Sequence, residues 1–266
     1  MYLIKFFLKY YSYSPICALT DDDNFGTIER EDPSYRFSVL NIFLGSRILH
    51  FITYKFSTKR FNMFYKIQLE ESGNLKNKCN TSTIEVKATK YTEHLLKLSN
   101  NDILIEKEFI CYLIDNEKDR IKKSIDKINA YTLIILSVIP ITLAFLSMNL
   151  INSLSLIKKI LLLFISYCII NIAIFIFDTI RVRSISLSTF SDLKNSDLKI
   201  NQLLWNYYFD WQMLKNKADI WVSYVLNIEN WIKLALILLF VLIFYNITHV
   251  ATKLIYNGII LYIKNI

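Results

Sequence analysis

Glycine and proline are scarce in this chain, four and three among 266 residues, and neither occurs between Ile141 and Asn257. A stretch that long without a backbone breaker predicts helices joined by short polar turns. Cysteine is equally sparse. Cys17, Cys79, Cys111 and Cys168 form no C-x-x-C pair, which excludes a legible disulfide framework or zinc site. His50, His94 and His249 are scattered, and no two share metal-ligand spacing. No catalytic motif is present, so catalytic, cofactor and metal residues are all expected to be none.

Charge is missing in whole blocks. Ile128 to Ile157 is uncharged over thirty positions, Ile160 to Phe177 over eighteen, and Leu234 to Thr252 over nineteen. A helix needs about 20 apolar residues to cross the hydrocarbon core, and each run is long enough. The spans lack Asp, Glu, Lys and Arg, which argues against a proton pump, an ion-coupled transporter or a voltage sensor. What remains there is Asn171, Asn246, Ser137, Thr142 and Ser166. Amides and hydroxyls at membrane depth bond between helices, or line a narrow polar pathway in an oligomer.

Basic residues set the expected orientation. Lys118, Arg120, Lys122, Lys123 and Lys127 precede the first run, and Arg181, Arg183 and Lys194 follow the second. The turn between them holds only Lys158 and Lys159. Cations gather on the cytoplasmic side, so the N-terminus is expected inside and the turn outside. The third run then leads outward from Lys215, Lys217 and Lys233. The net charge of +8 is read as attraction to anionic lipid rather than to nucleic acid. Lys5 and Lys9 interrupt the first apolar stretch, which predicts a membrane-surface segment and no signal peptide.

The fold class that follows is a mainly α integral membrane protein. It has three transmembrane helices, long cytoplasmic helical extensions and a small N-terminal β-containing region. The expected divisions are a cytoplasmic N-terminal region over 1–100, a cytoplasmic helix over 101–127, a transmembrane hairpin over 128–177, a cytoplasmic amphipathic helix over 178–233, and a third span with a short tail over 234–266. Within the first region, residues 18–34 are acidic and loop-like, which predicts a solvated run. Residues 35–66 are basic and aromatic without an acid. Phe61, Met63, Tyr65, Ile67 and Leu69 alternate with other residues, as do Ile84, Val86 and Ala88. Alternation predicts half-buried strands, hence an antiparallel sheet over about 47–91.

From Asn101 the period becomes helical. Asn101 or Asp102 can cap the start, and Ile110, Ile114, Glu117, Ile121, Ile125 and Ile128 form one stripe. Further on, Leu204, Trp211, Ala218 and Val225 recur every seven residues beside Tyr207, Leu214, Trp221 and Ile228. This is the spacing of a coiled-coil seam. It can pack on the helix ahead of the first span or join subunits. Leu204, Tyr207, Trp211, Leu214 and Trp221 are therefore the candidate coupling or interface residues.

The layout resembles the small membrane effectors of bacterial anti-phage systems of the abortive-infection type, those found with retrons and cyclic-nucleotide signalling operons. The resemblance lies in the charged helix Glu117 to Lys127 entering Ile128-Asn129-Ala130, the two-lysine turn, Arg181 and Arg183 at the exit, and the long amphipathic helix before a final span. It covers roughly residues 102–252 and is architectural. It implies a non-enzymatic, oligomeric effector that perturbs the inner membrane after a cytoplasmic trigger, often held by a protein partner, with no cofactor. The alternative is a membrane anchor or scaffold recruiting a soluble enzyme.

Overall fold

The computed structural model describes residues 11–28, 35–72, 81–145, 155–180 and 199–264. The protein is mostly helical, with a small N-terminal sheet. It divides into two compact units, residues 1–131 with 174–226, and residues 132–173 with 227–266.

The first unit holds the sheet. Its strands are β1 (Ala18–Asp21), β2 (Tyr35–Ser38), β3 (Asn41–Leu44), β4 (Arg47–Lys55) and β5 (Arg60–Gln68), all antiparallel. β2 and β3 share β4 as partner in one register: Ser38 opposes Thr53 and Asn41 opposes His50. The backbone bonds Val39 N–H to Ile52 C=O and Phe51 N–H to Leu40 C=O join the two stretches. β5 flanks β4 on its other side.

Simple alternation does not run through this sheet. Arg36 and Ser38 point inward in β2, but Asn41 and Phe43 do so in β3. In β4 the inward set changes from Ile48 and His50 to Thr53. At the same level Phe64 takes φ +58 in β5, a left-handed conformation unfavourable for an aromatic residue. The strands bend there together. Tyr65, Ile67 and Leu69 therefore lie on the covered side of the bend, while Phe61 and Met63 are exposed. The predicted half-buried strand is half right along its length.

Three expectations are corrected. The sheet is not confined to about 47–91, because β1, β2 and β3 precede that range. Residues 84–88 are not a strand, because α1 (Thr81–Leu95) is a helix. Ile84, Ala88 and Leu95 are buried and Val86 is exposed. The longer spacing Ile84, Ala88, Tyr91, Leu95 is helical, and it outweighs a three-residue alternation. The acidic run is also not wholly solvated. β1 ends in it, and Asp21 and Asp22 are buried. Asp21 accepts from the Asp23 N–H at 3.0 Å and from Asn24 Nδ2 at 2.8 Å, closing the turn that follows β1.

α2 (Asn100–Phe145) is continuous through Pro140. Ser99 provides its cap, accepting the Asp102 N–H at 3.4 Å, two positions before Asn101, the nearer of the residues the sequence pointed to. α4 (Lys199–Lys264) is one helix of 66 residues. In the first unit, Leu204 of α4 packs with Ile103 and Ile110 of α2 and Leu95 of α1, with Tyr207 and Ile114 against them. Glu117 is buried in the α2 stripe. Arg120 bonds it and also reaches Asp219 of α4 at 3.0 Å. Burial works against the Arg120 charge, but the bonds to Asp219 and Glu117 outweigh it and raise its pKa.

The second unit is built on α3 (Leu156–Ile180) and α4. Leu162 and Ile165 pack with Leu242, flanked by Ile169 and Leu238. Tyr167 meets Trp231 edge-on at 5.6 Å, and the Ser155 and Tyr245 hydroxyls lie 3.3 Å apart. These pairs run antiparallel. Among the described residues two helices, Leu156–Ile180 and Ile200–Thr248, are long and apolar enough to cross a membrane, against the three expected. Lys158 and Lys159, expected in the turn between the first two uncharged runs, lie in α3. Residues 1–10, 146–154, Arg181, Arg183 and Lys194 lie outside the described residues.

Candidate functional site

The chemistry-bearing groups of the first unit fall into three places. The first is the two-residue turn between β3 and β4. Gly45 adopts φ +56, which glycine takes without the steric cost of a side chain. It also lies hard against α3. A Cβ there would stand 2.5 Å from Ile174 Cγ2 and 3.0 Å from the Ile174 carbonyl carbon. The next residue, Ser46, donates twice to one oxygen of Asp178. Its backbone N–H does so at 3.2 Å and its hydroxyl more closely. Asp178 is the first charged residue after the uncharged run Ile160 to Phe177.

Aromatic packing surrounds this grip. Phe25, in the turn after β1, meets Phe175 of α3 edge-on at 6.2 Å. Phe175 is fully buried and meets Tyr224 of α4 edge-on at 6.0 Å. The Tyr224 hydroxyl donates to Glu70, just after β5, at 3.3 Å. The sheet therefore holds α3 and α4 through a turn, an acid and a ring stack. Edge-to-face pairs contribute about 0.5–1.5 kcal/mol each beyond their buried area.

The second place is a buried polar cluster inside the sheet. Arg36 donates to both oxygens of Asp22, at 2.9 and 2.7 Å, and to Thr53 Oγ1 at 2.8 Å. Its guanidinium lies 3.6 Å from the centre of the Tyr65 ring. Lys55 reaches the same carboxylate at 3.1 Å. Burial alone would raise the Asp22 pKa; the Arg36 and Lys55 interactions overcome it and hold the carboxyl below its usual range. His50 Nδ1 lies 2.8 Å from Ser38 Oγ. Burial first, then the Arg36 charge, pull the imidazole down to about 4. Ser38 and His50 resemble a nucleophile with its base, yet both are fully enclosed. The cluster's described bonds run within the sheet and to Asp22 in the turn after β1.

A third contact ties α1 to α2 and α4. Glu106 of α2 accepts from Tyr91 at 3.0 Å and faces His94 at 3.1 Å. Tyr91 stacks on Tyr208 of α4 at 4.5 Å. Burial and the Glu106 bond raise the Tyr91 pKa.

The sequence-selected residues distribute as follows. Leu204 and Leu214 are buried on α4, with Tyr207, Trp211 and Trp221 half-buried. Asn171 is buried in α3 and donates to the Tyr167 carbonyl at 2.9 Å within its own helix. Ser137 is exposed on α2 and donates to Ile134 C=O at 2.6 Å. Ser166 and Asn246 are half-buried. Thr142 falls in α2, its side chain outside the described set. Among the described residues no group of three His, Cys, Asp or Glu is placed to hold a metal. Cys17, Cys111 and Cys168 are free thiols.

Sequence reasoning missed Gly45, Ser46 and Asp178. Two signals were available: a Gly-Ser pair between strand-forming runs, and an acid abutting an uncharged run. No protein-family model, curated protein or solved structure matches this chain.

Proposed function

We propose that this chain is a non-enzymatic, oligomeric membrane effector that perturbs a bacterial inner membrane after a cytoplasmic trigger, as in anti-phage defence. α2, α3 and α4 each supply one span, with the N-terminus in the cytoplasm. The sheet with α1 receives the trigger, whether a protein partner or a ligand. The observation that carries this reading is the grip of Ser46 on Asp178. A sensing module needs a fixed attachment to a helix that enters the bilayer, and this bond pair joins the sheet to the end of an apolar, 25-residue helix. Two of these spans run outward and one inward.

Expression in bacteria with a membrane-potential dye is the test. Depolarisation on induction is expected once any neighbouring partner gene is removed or its trigger supplied. A chain that sits in the membrane and leaves the potential intact under all these conditions refutes the proposal.

A second reading, an anchor or scaffold that recruits a soluble enzyme, is favoured by one feature. Ile105, Phe109 and Tyr112 are exposed on α2 at helical spacing, a face suited to a partner helix. A stoichiometric soluble partner that copurifies with the chain, with no change in ion flux, would select this reading.

A further inference from the structure

The sheet leaves an apolar face open beyond its bend. The register places Phe37, Tyr54 and Phe61 side by side across β2, β4 and β5. The next row is Val39, Ile52 and Met63, through the Val39 to Ile52 backbone bond and the β4–β5 pairing. Phe61 is 77% exposed and Met63 72%, and Phe37, Val39 and Ile52 are exposed too. Six apolar residues in two aligned rows form one patch. A patch of that kind on a soluble surface marks a binding site.

The charges carried by β2, β4 and β5 themselves are basic, His50 aside. Lys59, in the turn between β4 and β5, and Arg60 and Lys66 on β5 are exposed. No Asp or Glu occurs between Asp32 and Glu70. That pattern selects among occupants. A second copy would bring the same cations to the same edge, and like charges repel. Single-stranded nucleic acid takes the charges, but it stacks on aromatic rings, and the Val39–Ile52–Met63 row offers none. An anionic bilayer surface satisfies both halves: headgroups meet the cations, and the acyl boundary takes the aliphatic and aromatic row.

We infer that the open face of β2, β4 and β5, with Lys59 and Arg60, docks on an anionic phospholipid surface. The inference rests on the membrane reading above and adds a second, reversible lipid contact to the spans. Docking and release of this face would move the same sheet that holds Asp178.

The test places benzoylphenylalanine at Phe61 in the full-length chain, held in nanodiscs of phosphatidylglycerol or of phosphatidylcholine. Irradiation and intact-mass analysis follow. A phospholipid adduct is expected in phosphatidylglycerol discs and a much weaker one in phosphatidylcholine. Lys59→Gln with Arg60→Gln is expected to lower the anionic-disc adduct by about fivefold per cation removed, without altering disc incorporation. Adducts only to a second copy, or none to lipid from a chain that is in the disc, overturn the inference while the membrane reading stands. A chain that enters no disc overturns that reading, and this inference with it.

Discussion

Replacing Gly45 by alanine attacks the attachment of the sheet to α3 while leaving every polar partner in place. The added methyl meets Ile174 Cγ2 at 2.5 Å and its carbonyl carbon at 3.0 Å. The carbonyl carbon belongs to helix backbone and cannot rotate away, so the turn must lift. Holding a non-glycine residue at φ +56 costs about 1–2 kcal/mol, and overpacking a close contact adds about 1–3 kcal/mol. The two total roughly 2–5 kcal/mol, which is comparable to the two Asp178 hydrogen bonds at about 1.5–3 kcal/mol each for a charged acceptor. The turn should therefore release Asp178 for a large fraction of the time. Amide hydrogen exchange of the full chain in nanodiscs reads this directly. The Ser46 N–H, bonded to Asp178 at 3.2 Å, should lose protection by at least tenfold. The amides of α4 around Leu204 should keep theirs. Unchanged exchange at Ser46 in Gly45→Ala would show that the close approach to Ile174 is not what holds the turn.

Leu204 is fully buried among Leu95, Ile103 and Ile110, so Leu204→Ala should destabilise the first unit by about 2–5 kcal/mol, read as a lower denaturant midpoint in detergent. Arg36→Leu leaves Asp22 buried without its bidentate partner and should cost about 3–5 kcal/mol; Asp22→Asn made together with Arg36→Leu should recover part of that loss. His50 gives a pH dependence. Its native pKa of about 4 lies below the ordinary 6.5, so the unfolded chain binds the extra proton between those values, and stability falls as pH drops from 6.5 to 4. At 1.36 kcal/mol per pH unit the loss approaches about 3 kcal/mol. Comparing unfolding midpoints of the wild type and His50→Asn across that window isolates it from Asp22. The Asp22 carboxyl is also depressed, and its contribution is lost only at lower pH, as the medium falls through its native pKa.

The helices were the legible part of this molecule. The seven-residue rows from Leu204 to Ile228 and the Ile110 to Ile128 stripe each extend over several turns, long enough for the period to be unambiguous, and they mark the helices that pack. The sheet was only half legible, because its strands bend where Leu40, Phe51 and Phe64 lie, and a change of inward parity erases alternation. α1 was misread because Ile84, Val86 and Ala88 fit both periods over five residues, and only Tyr91 and Leu95 decide between them. The buried Asp22–Arg36 pair was invisible, since its two halves lie in runs of opposite charge that look solvated separately. Ser46 and Asp178 are 132 positions apart. No local pattern joins residues at that separation, so the attachment could emerge only from the fold.

The claim that the sheet acts on the membrane through α3 is tested most directly by ion flux in liposomes reconstituted with purified chain, comparing the wild type with Asp178→Ala. Asp178→Ala removes both bonds from Ser46 and leaves the uncharged runs unaltered. The account predicts potassium-driven dye response from the wild-type chain under its trigger, and its loss in Asp178→Ala at equal incorporation. Equal flux from both chains, or none from either under every trigger tried, would contradict it.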